Sequence, residues 1–184
     1  MVDAGRRTVD YKNDLERYQR VLNCLSSLPR KIISINELDN IPEFILQDIC
    51  NEHCFNIVRA AYFVDNPDFN QLKGVAGFCR EEAYEAEHMW EEPNAFNKFM
   101  ESSAFNKFVR DFCIESIEAN KHKHDHVVKD LAPQLNFKNP AWCTWDLKHY
   151  NHGLIIYEKN DLADEFFDEH FINTLYILGF CAIR

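Results

Sequence analysis

The stretch that decides the fold is NAFNKFMESSAFNKFVRDFCIESIE, residues 94–118. It contains the same five residues, Ala-Phe-Asn-Lys-Phe, first at 95–99 and again at 104–108. From the second copy onward, one set of side chains recurs at helical spacing: Phe105, Phe108, Val109, Phe112, Cys113 and Ser116. Polar and charged side chains lie largely opposite this stripe, so the pattern predicts a helix with one face in a core.

The spacing of the two copies predicts a break in the helix. The copies begin nine residues apart, and at about 3.6 residues per turn one straight helix would turn their phenylalanines to opposite sides. Ser103 directly precedes the second copy and is a favourable N-cap residue. We therefore expect two helices that meet at Ser102–Ser103 and bring both aromatic faces to the same core.

The N-terminal region predicts a helix, a strand and a second helix. We expect residues 1–7 to be a flexible polar lead. Apolar residues then recur at helical spacing up to Pro29, which should end the first helix: Tyr11, Leu15, Tyr18, Leu22 and Leu25. Residues 31–35 favour a short strand, and Asn40 followed by Pro42 and Glu43 is typical of a helix start.

The middle of the chain predicts a β-hairpin and an acidic helix. Residues 55–64 and 72–79 are rich in β-prone side chains, and turn residues separate them at 65–68. Residues 81–92 are acidic and helix-prone. They precede the two phenylalanine-rich helices.

The C-terminal region predicts a third long strand at 145–159, followed by a helix that starts at Asp161. This helix would bury Phe167, Phe171 and Leu175 and end at Gly179 in a left-handed cap. Residues 172–183 are also β-prone and lack charged side chains, so a strand there stays open as an alternative.

Together these elements predict one compact α+β domain over residues 1–184, with a small antiparallel sheet of about three to four strands covered by amphipathic helices. Hydrophobic residues make up 46% of the 184 residues and aromatic residues 14%, with only five glycines and six prolines. Such a composition is typical of a globular protein with a substantial core.

Charge and cysteine usage narrow the functional class. The formal net charge of −10 repels phosphate backbones and anionic membrane surfaces, so we expect neither direct nucleic-acid binding nor membrane binding. No segment has the apolar length of a membrane span, and the N-terminus lacks the apolar core of a signal peptide. The seven cysteines are scattered without a CxxC pair, which favours reduced thiols in a cytoplasmic protein.

The acidic segment is the predicted partner-binding surface. Its carboxylates would face a protein partner with a basic surface: Glu81, Glu82, Glu85, Glu87, Glu91 and Glu92.

Two groups of residues are candidate ligands for zinc or iron. Glu118, His122 and His126 share one face if the segment is helical, although a solvated helix end explains them more simply. Cys50, His53 and Cys54 have i, i+3, i+4 spacing, and a fourth ligand such as Cys79 would complete a zinc site. Buried core thiols are the simpler interpretation there.

Cys143, His149 and His152 are the candidate catalytic residues, because an imidazole near a thiol activates it as a nucleophile. The alternative is that Trp142 and Trp145 pack this segment onto the sheet and that the thiol is inert.

Three hypotheses for function follow. The first is a cytoplasmic, non-catalytic interaction or regulatory protein that presents an acidic surface to a basic partner. The second is a small metal-dependent or thiol-dependent enzyme that uses the histidines and cysteines above. The third is a small-ligand sensor with an apolar cavity between the sheet and the phenylalanine-rich helices.

Overall fold

The computed structural model describes residues 3–35, 37–84, 89–160 and 165–180, and the side chains of 15–35, 37–84, 89–160 and 168–179. Six helices and five strands occur in these ranges. In chain order they are α1 (Asp3–Ser34), α2 (Ile41–Cys50), β1 (Ile57–Asn66), β2 (Gln71–Cys79), α3 (Pro93–Ser102), α4 (Ala104–Arg110), β3 (Cys113–Ile114), α5 (His124–Gln134), β4 (Ala141–Asp146), β5 (His152–Lys159) and α6 (Glu165–Leu175).

The five strands form one antiparallel sheet in the order β3-β2-β1-β5-β4. The predicted α+β class is confirmed, but the sheet has five strands and not three to four. β1 lies at its centre, where Tyr62 faces Ala76 on β2 and Ile155 on β5. Every residue from Ala60 to Asp65 is buried, so both faces of this strand are covered.

Helices cover the sheet on both faces, and each face has its own core. The first core joins Tyr62, Phe78 and Ile155 of the sheet to buried residues of α1, α2 and α6. The second core joins residues of the opposite face of the sheet, including Phe63 and Leu154, to Val109 of α4 and to Leu131 of α5. The buried hairpin β1–β2 is therefore the middle layer of a three-layer arrangement.

The first helix continues through Pro29, contrary to the sequence prediction. α1 extends to Ser34, so residues 31–34 are helical and the predicted strand at 31–35 is wrong. A proline inside a helix costs about 3 kcal/mol. Leu28 is 1% exposed in the first core and Ile35 is buried just after the helix, and this packing outweighs the local penalty.

The start of α1 also differs from the sequence prediction. α1 begins at Asp3, so it includes most of the predicted lead at 1–7, whose flexibility remains a prediction. The helix buries Val21 and Leu28, while Leu15 and Leu22 of the predicted apolar stripe are exposed.

The predicted break between the duplicated segments is confirmed. α3 ends at Ser102, α4 begins at Ala104, and the Ser103 hydroxyl accepts a hydrogen bond of 3.2 Å from the backbone N–H of Asn106. The two aromatic faces reach different clusters, however. Phe96 packs with Phe44 and Met89 in a third cluster, whereas Phe105 lies in the second core.

The stripe that follows the second copy ends earlier than predicted. α4 ends at Arg110, Phe108 is 45% exposed, and Cys113 lies in the edge strand β3. The helix stops at this point because the chain turns to pair with β2, where the backbone N–H of Gly74 donates to the carbonyl of Phe112.

The structure differs from the sequence predictions at three further elements. Residues 80–82 form one 3-10 turn, and 83–84 and 89–92 are not helical, so the predicted acidic helix is wrong over the described part of 81–92. The predicted strand at 145–159 is the hairpin β4–β5, whose tip spans Lys148–Tyr150. α6 and the 3-10 segment Tyr176–Phe180 exclude a strand over 172–180.

Two predictions for the C-terminus have separate outcomes. The proposed cap at Asp161 and the Phe167 side chain lie outside the described residues, and Gly179 does not have a left-handed conformation.

In the described ranges, no helix combines the length and the apolar character needed to span a membrane.

Gly74 lies where α4 packs closely on the sheet, so a substitution at this position tests that packing. A Cβ atom at Gly74 would lie 1.8 Å from the backbone carbonyl oxygen of Val109. We expect Gly74→Ala to lower the free energy of unfolding by roughly 3 kcal/mol, because two backbone segments must separate. Urea denaturation followed by circular dichroism measures this loss.

Gly179→Ala is the matched control, since its Cβ would meet only the end of the Leu147 side chain, at 3.1 Å. We expect this variant to change stability by about 0.5 kcal/mol or less. Equal losses in the two variants would contradict the close packing of α4 on β2.

Candidate functional site

A cleft of about 510 Å³ lies where α2, α3, α4 and β2 meet. The segment before α2 forms one wall, α3 forms a second, and β2 with the end of α4 forms a third. The described side chains and glycine that line the cleft are Glu37, Leu38, Asp39, Asn40, Pro42, Glu43, Lys73, Gly74, Val75, Asn97, Glu101 and Arg110. Its size is typical of small-ligand and side-chain binding pockets.

Glu43 is a buried carboxylate at this cleft, with 3% of its surface exposed. Its Oε1 accepts hydrogen bonds from Asn106 Nδ2 at 2.8 Å and from Arg110 Nη1 at 2.9 Å. Its Oε2 accepts a hydrogen bond from Asn40 Nδ2 at 2.9 Å. These donors replace the water that the carboxylate loses on burial.

The two asparagines of the duplicated segment meet in this network. Asn97 and Asn106 occupy the same position in the two copies. Asn97 Oδ1 accepts from Asn40 Nδ2 at 2.7 Å, while Asn106 binds Glu43 directly. Asn106 Oδ1 also accepts from the backbone N–H of Gly77 at 2.9 Å, which ties the network to β2. The break at Ser103 therefore serves the polar network as well as the aromatic packing.

The charge of the cleft is mainly negative. The described lining contains four acidic and two basic residues: Glu43 is paired with Arg110, and the others are Glu37, Asp39, Glu101 and Lys73. All four of these side chains are on exposed residues. Exposed charged side chains therefore surround the opening of the cleft, and the hydrogen-bonded network of Glu43 forms its floor.

Two glutamates of the predicted acidic surface form hydrogen bonds within the protein, although the Glu81 side chain is 75% exposed. Glu81 Oε2 accepts hydrogen bonds from Cys79 Sγ at 3.2 Å and from Arg59 Nη2 at 3.1 Å, and these contacts lower the pKa of Glu81. Glu82 Oε2 accepts from Ser103 Oγ at 2.8 Å and from the backbone N–H of Phe105 at 3.0 Å, at the start of α4.

The other four glutamates of that surface fall into two groups. Glu91 and Glu92 are exposed, whereas Glu85 and Glu87 lie outside the described residues. The role of these glutamates as a partner-binding surface therefore remains a prediction.

A second, smaller cavity of about 330 Å³ lies beside β4 and β5 and contains two histidine–carboxylate pairs. His124 Nε2 lies 3.4 Å from Glu118 Oε1, and His152 Nδ1 lies 3.1 Å from Asp146 Oδ1. Glu118 therefore meets His124, while the predicted partners His122 and His126 are exposed. Within the described ranges, no three or more histidine, cysteine, aspartate or glutamate side chains are arranged to hold a metal ion.

The residues of the second predicted metal group, Cys50, His53 and Cys54, differ in their exposure to solvent. Cys50 and Cys54 are buried, whereas His53 is exposed and lies 3.8 Å from Glu52. Burial raises the pKa of Cys50, which disfavours the thiolate form that binds zinc. The proposed fourth ligand, Cys79, belongs to the second core and bonds to Arg59 and Glu81.

The candidate catalytic residues do not converge on one site. Cys143 lies on β4 opposite Ile155 and packs against the first core. His149 lies at the exposed hairpin tip with φ of 59°, and Tyr150 beside it is 86% exposed. Only His152 lines the smaller cavity, where it is paired with Asp146.

Comparison with known protein families, with curated proteins and with solved structures finds no match to this chain. The geometry of the Glu43 cleft is therefore the basis for the function proposed below.

The duplicated asparagines provide a matched test of the Glu43 network. We expect Asn106→Ala to lower the free energy of unfolding by about 2–4 kcal/mol, because the Gly77 N–H and the Glu43 carboxylate both lose a buried partner. Asn97→Ala removes one hydrogen bond at a half-buried position and should cost about 1 kcal/mol or less. Chemical denaturation of both variants measures the difference, and equal costs would contradict the asymmetry of the network.

Cys143 provides a test of the thiol-dependent alternative. Burial raises the pKa of Cys143 to about 12. At pH 7.5 its thiolate fraction is then roughly a thousandfold below that of a free cysteine, so iodoacetamide should modify it correspondingly slowly. The rate should continue to rise tenfold per pH unit above pH 9, where a free cysteine reaches its plateau.

Peptide mapping by mass spectrometry follows Cys143 and the exposed Cys113 in the same sample. Modification of Cys143 at pH 7.5 as fast as a free cysteine would show an activated thiol and favour the enzyme hypothesis.

Proposed function

We propose that this protein is a non-catalytic interaction or regulatory protein, and that it binds a basic segment of a protein partner through a lysine or arginine side chain that enters the Glu43 cleft. The observation that carries the proposal is the buried Glu43 carboxylate, held by three side chains beneath a rim with an excess of acidic groups.

The hydrogen-bond network supports binding because it fixes the cleft before a ligand arrives. Three segments join the network around Glu43: Asn40 precedes α2, Asn97 is on α3, and Asn106 and Arg110 are on α4. Side chains that are already ordered lose little further entropy on association. A cleft of this kind binds a charged group with geometric specificity.

The charge of the rim supports a cationic ligand. The described lining holds four acidic and two basic residues, and the whole chain has a formal net charge of −10. A negative field of this kind attracts basic partners and accelerates their association. It also disfavours phosphorylated or other anionic ligands.

The composition of the cleft favours this function over the two alternatives. A sensor with an apolar cavity requires a mainly apolar lining, whereas polar and charged side chains make up most of the described lining of this cleft. An enzyme that relies on histidine or cysteine requires such a group at the ligand, and the described lining contains neither residue type.

A peptide pair tests the proposal directly. We expect acetyl-Ala-Arg-Ala-amide to bind and to shift the NMR signals of the Asn97 side-chain amide and the Glu101 backbone amide. The matched peptide with citrulline in place of arginine keeps the shape but lacks the charge, so it should bind more weakly. Glu101→Gln and Glu37→Gln should each weaken binding of the arginine peptide by roughly two- to fivefold, and Lys73→Gln should strengthen it.

Glu92→Gln is the control, since Glu92 is exposed but does not line the cleft. This variant should leave binding unchanged, and raising the salt concentration should weaken binding of the arginine peptide. Equal binding of the two peptides would overturn the proposal. A loss in Glu92→Gln as large as that in Glu101→Gln would instead favour the acidic segment 81–92 as the binding surface.

A further inference from the structure

α1 carries an exposed apolar stripe along its solvent side. Leu15, Leu22 and Ile33 are 55%, 62% and 70% exposed. Their spacing in the chain places all three on one side of a helix with about 3.6 residues per turn. Val21 and Leu28, which α1 buries in the first core, lie on a different side. A row of large apolar side chains on the surface of a helix indicates a contact with another molecule.

We propose that this stripe packs against the same stripe of a second copy of the chain, so that two α1 helices run antiparallel in a homodimer. A two-fold axis near residue 24 would bring the same surface of both copies together. No described residue that lines the Glu43 cleft belongs to α1, so this interface is independent of the function proposed for that cleft.

The stripe has the spacing of a coiled-coil seam. Alternating steps of four and three residues lead through six positions, all of them exposed: Leu15, Gln19, Leu22, Ser26, Pro29 and Ile33. Such steps keep one face of a helix turned toward a partner helix. Residues 15–33 extend over about 28 Å, since a helix rises about 1.5 Å per residue. The exposed face is therefore long enough for several layers of side-chain contacts.

An antiparallel register centred near residue 24 pairs the apolar side chains of the stripe. Leu15 faces Ile33 of the second copy, and Leu22 faces Ser26 of the second copy. The Ser26 hydroxyl already donates a hydrogen bond of 3.1 Å to the carbonyl of Asn23 in its own helix, so it needs no partner across the seam. Polar residues at two of the six positions limit the apolar contact, and we therefore expect a dissociation constant in the micromolar range.

Charge complementarity identifies a second copy as the occupant. Glu16, Asn23 and Arg30 are exposed and flank the seam on one side, at intervals of one heptad. In the antiparallel register, Glu16 lies beside Arg30 of the second copy, and the two-fold axis forms this pair twice. A parallel pairing would instead place Asn23 and Arg30 beside Tyr18 and Leu25 of the second copy, which carry no charge. The pattern of charges thus favours the antiparallel pairing.

An exchange of charges tests this register in the full-length protein. Glu16→Arg and Arg30→Glu should each weaken dimerisation by roughly tenfold, because each variant replaces two attractive contacts by two repulsive ones. An equimolar mixture of the two variants should form a heterodimer about as strong as the wild-type homodimer, since both pairs then have opposite charges again. Sedimentation equilibrium up to about 100 µM measures these dissociation constants.

A substitution in the stripe tests the apolar contact. Leu22→Gln should weaken dimerisation by roughly a hundredfold, because two leucine side chains lose their burial in the dimer. Leu22 is 62% exposed in one chain, so the variant should keep the circular dichroism spectrum of the wild type. Asp130→Arg is the control, since Asp130 is exposed on α5, which packs on the opposite face of the sheet. This variant should dimerise like the wild type.

The proposal is wrong if the wild-type protein stays monomeric at about 100 µM, a result that would leave the stripe to a different protein or to a membrane. A mixture of Glu16→Arg and Arg30→Glu that associates no better than either variant alone would exclude the antiparallel register. A Leu22→Gln dimer as strong as the wild-type dimer would place the interface elsewhere and would also overturn the proposal.

Discussion

The buried carboxylate of Glu43 constrains the arrangement of the surrounding elements. A charged group with 3% exposure has lost most of its hydration, and leaving it unpaired would cost several kcal/mol. Its partners come from the segment before α2 and from α4, and Asn97 of α3 supports Asn40. Moving any one of these elements would leave a buried polar group without its partner. The network therefore sets how α2, α3 and α4 meet, and the cleft is a consequence of that meeting.

The sequence correctly predicted those elements whose structure depends on residues close to each other in the chain. Ser103 caps α4 as its position between the two copies predicted, and the predicted turn at 65–68 overlaps the 3-10 turn Pro67–Phe69 that joins β1 to β2. The sequence predictions fail where contacts between distant residues, or unusual backbone conformations, determine the structure. Leu28 in the first core keeps α1 helical through Pro29. The β4–β5 turn is made by His149 and Tyr150 in left-handed conformations, which residues of this kind rarely adopt, so the sequence carried no turn signal.

The candidate site was harder to predict than the fold, because its contacts join residues far apart in the chain. The sequence shows the duplication, but its phenylalanines predicted core packing, and no role was predicted for its asparagines. Asn106 and Glu43 are 63 residues apart, and no periodicity links them. Glu43 was predicted only as a residue of the helix start. The one available signal was a carboxylate directly before the apolar residues Phe44, Ile45 and Leu46 of α2, since a carboxylate buried among apolar residues requires a partner.

α2 connects the two clefts physically. Glu43 in its first turn forms the floor of one cleft, and Asp48 near its end lines a second cleft, between α1 and the end of α2. Eight of the ten residues of α2 are buried, including Phe44, Ile45 and Ile49. A helix packed this closely does not bend to absorb a displacement, because interiors at native density have few voids. The packing of α2 therefore fixes the position of Glu43 relative to Asn106 and Arg110, in addition to the hydrogen bonds between them.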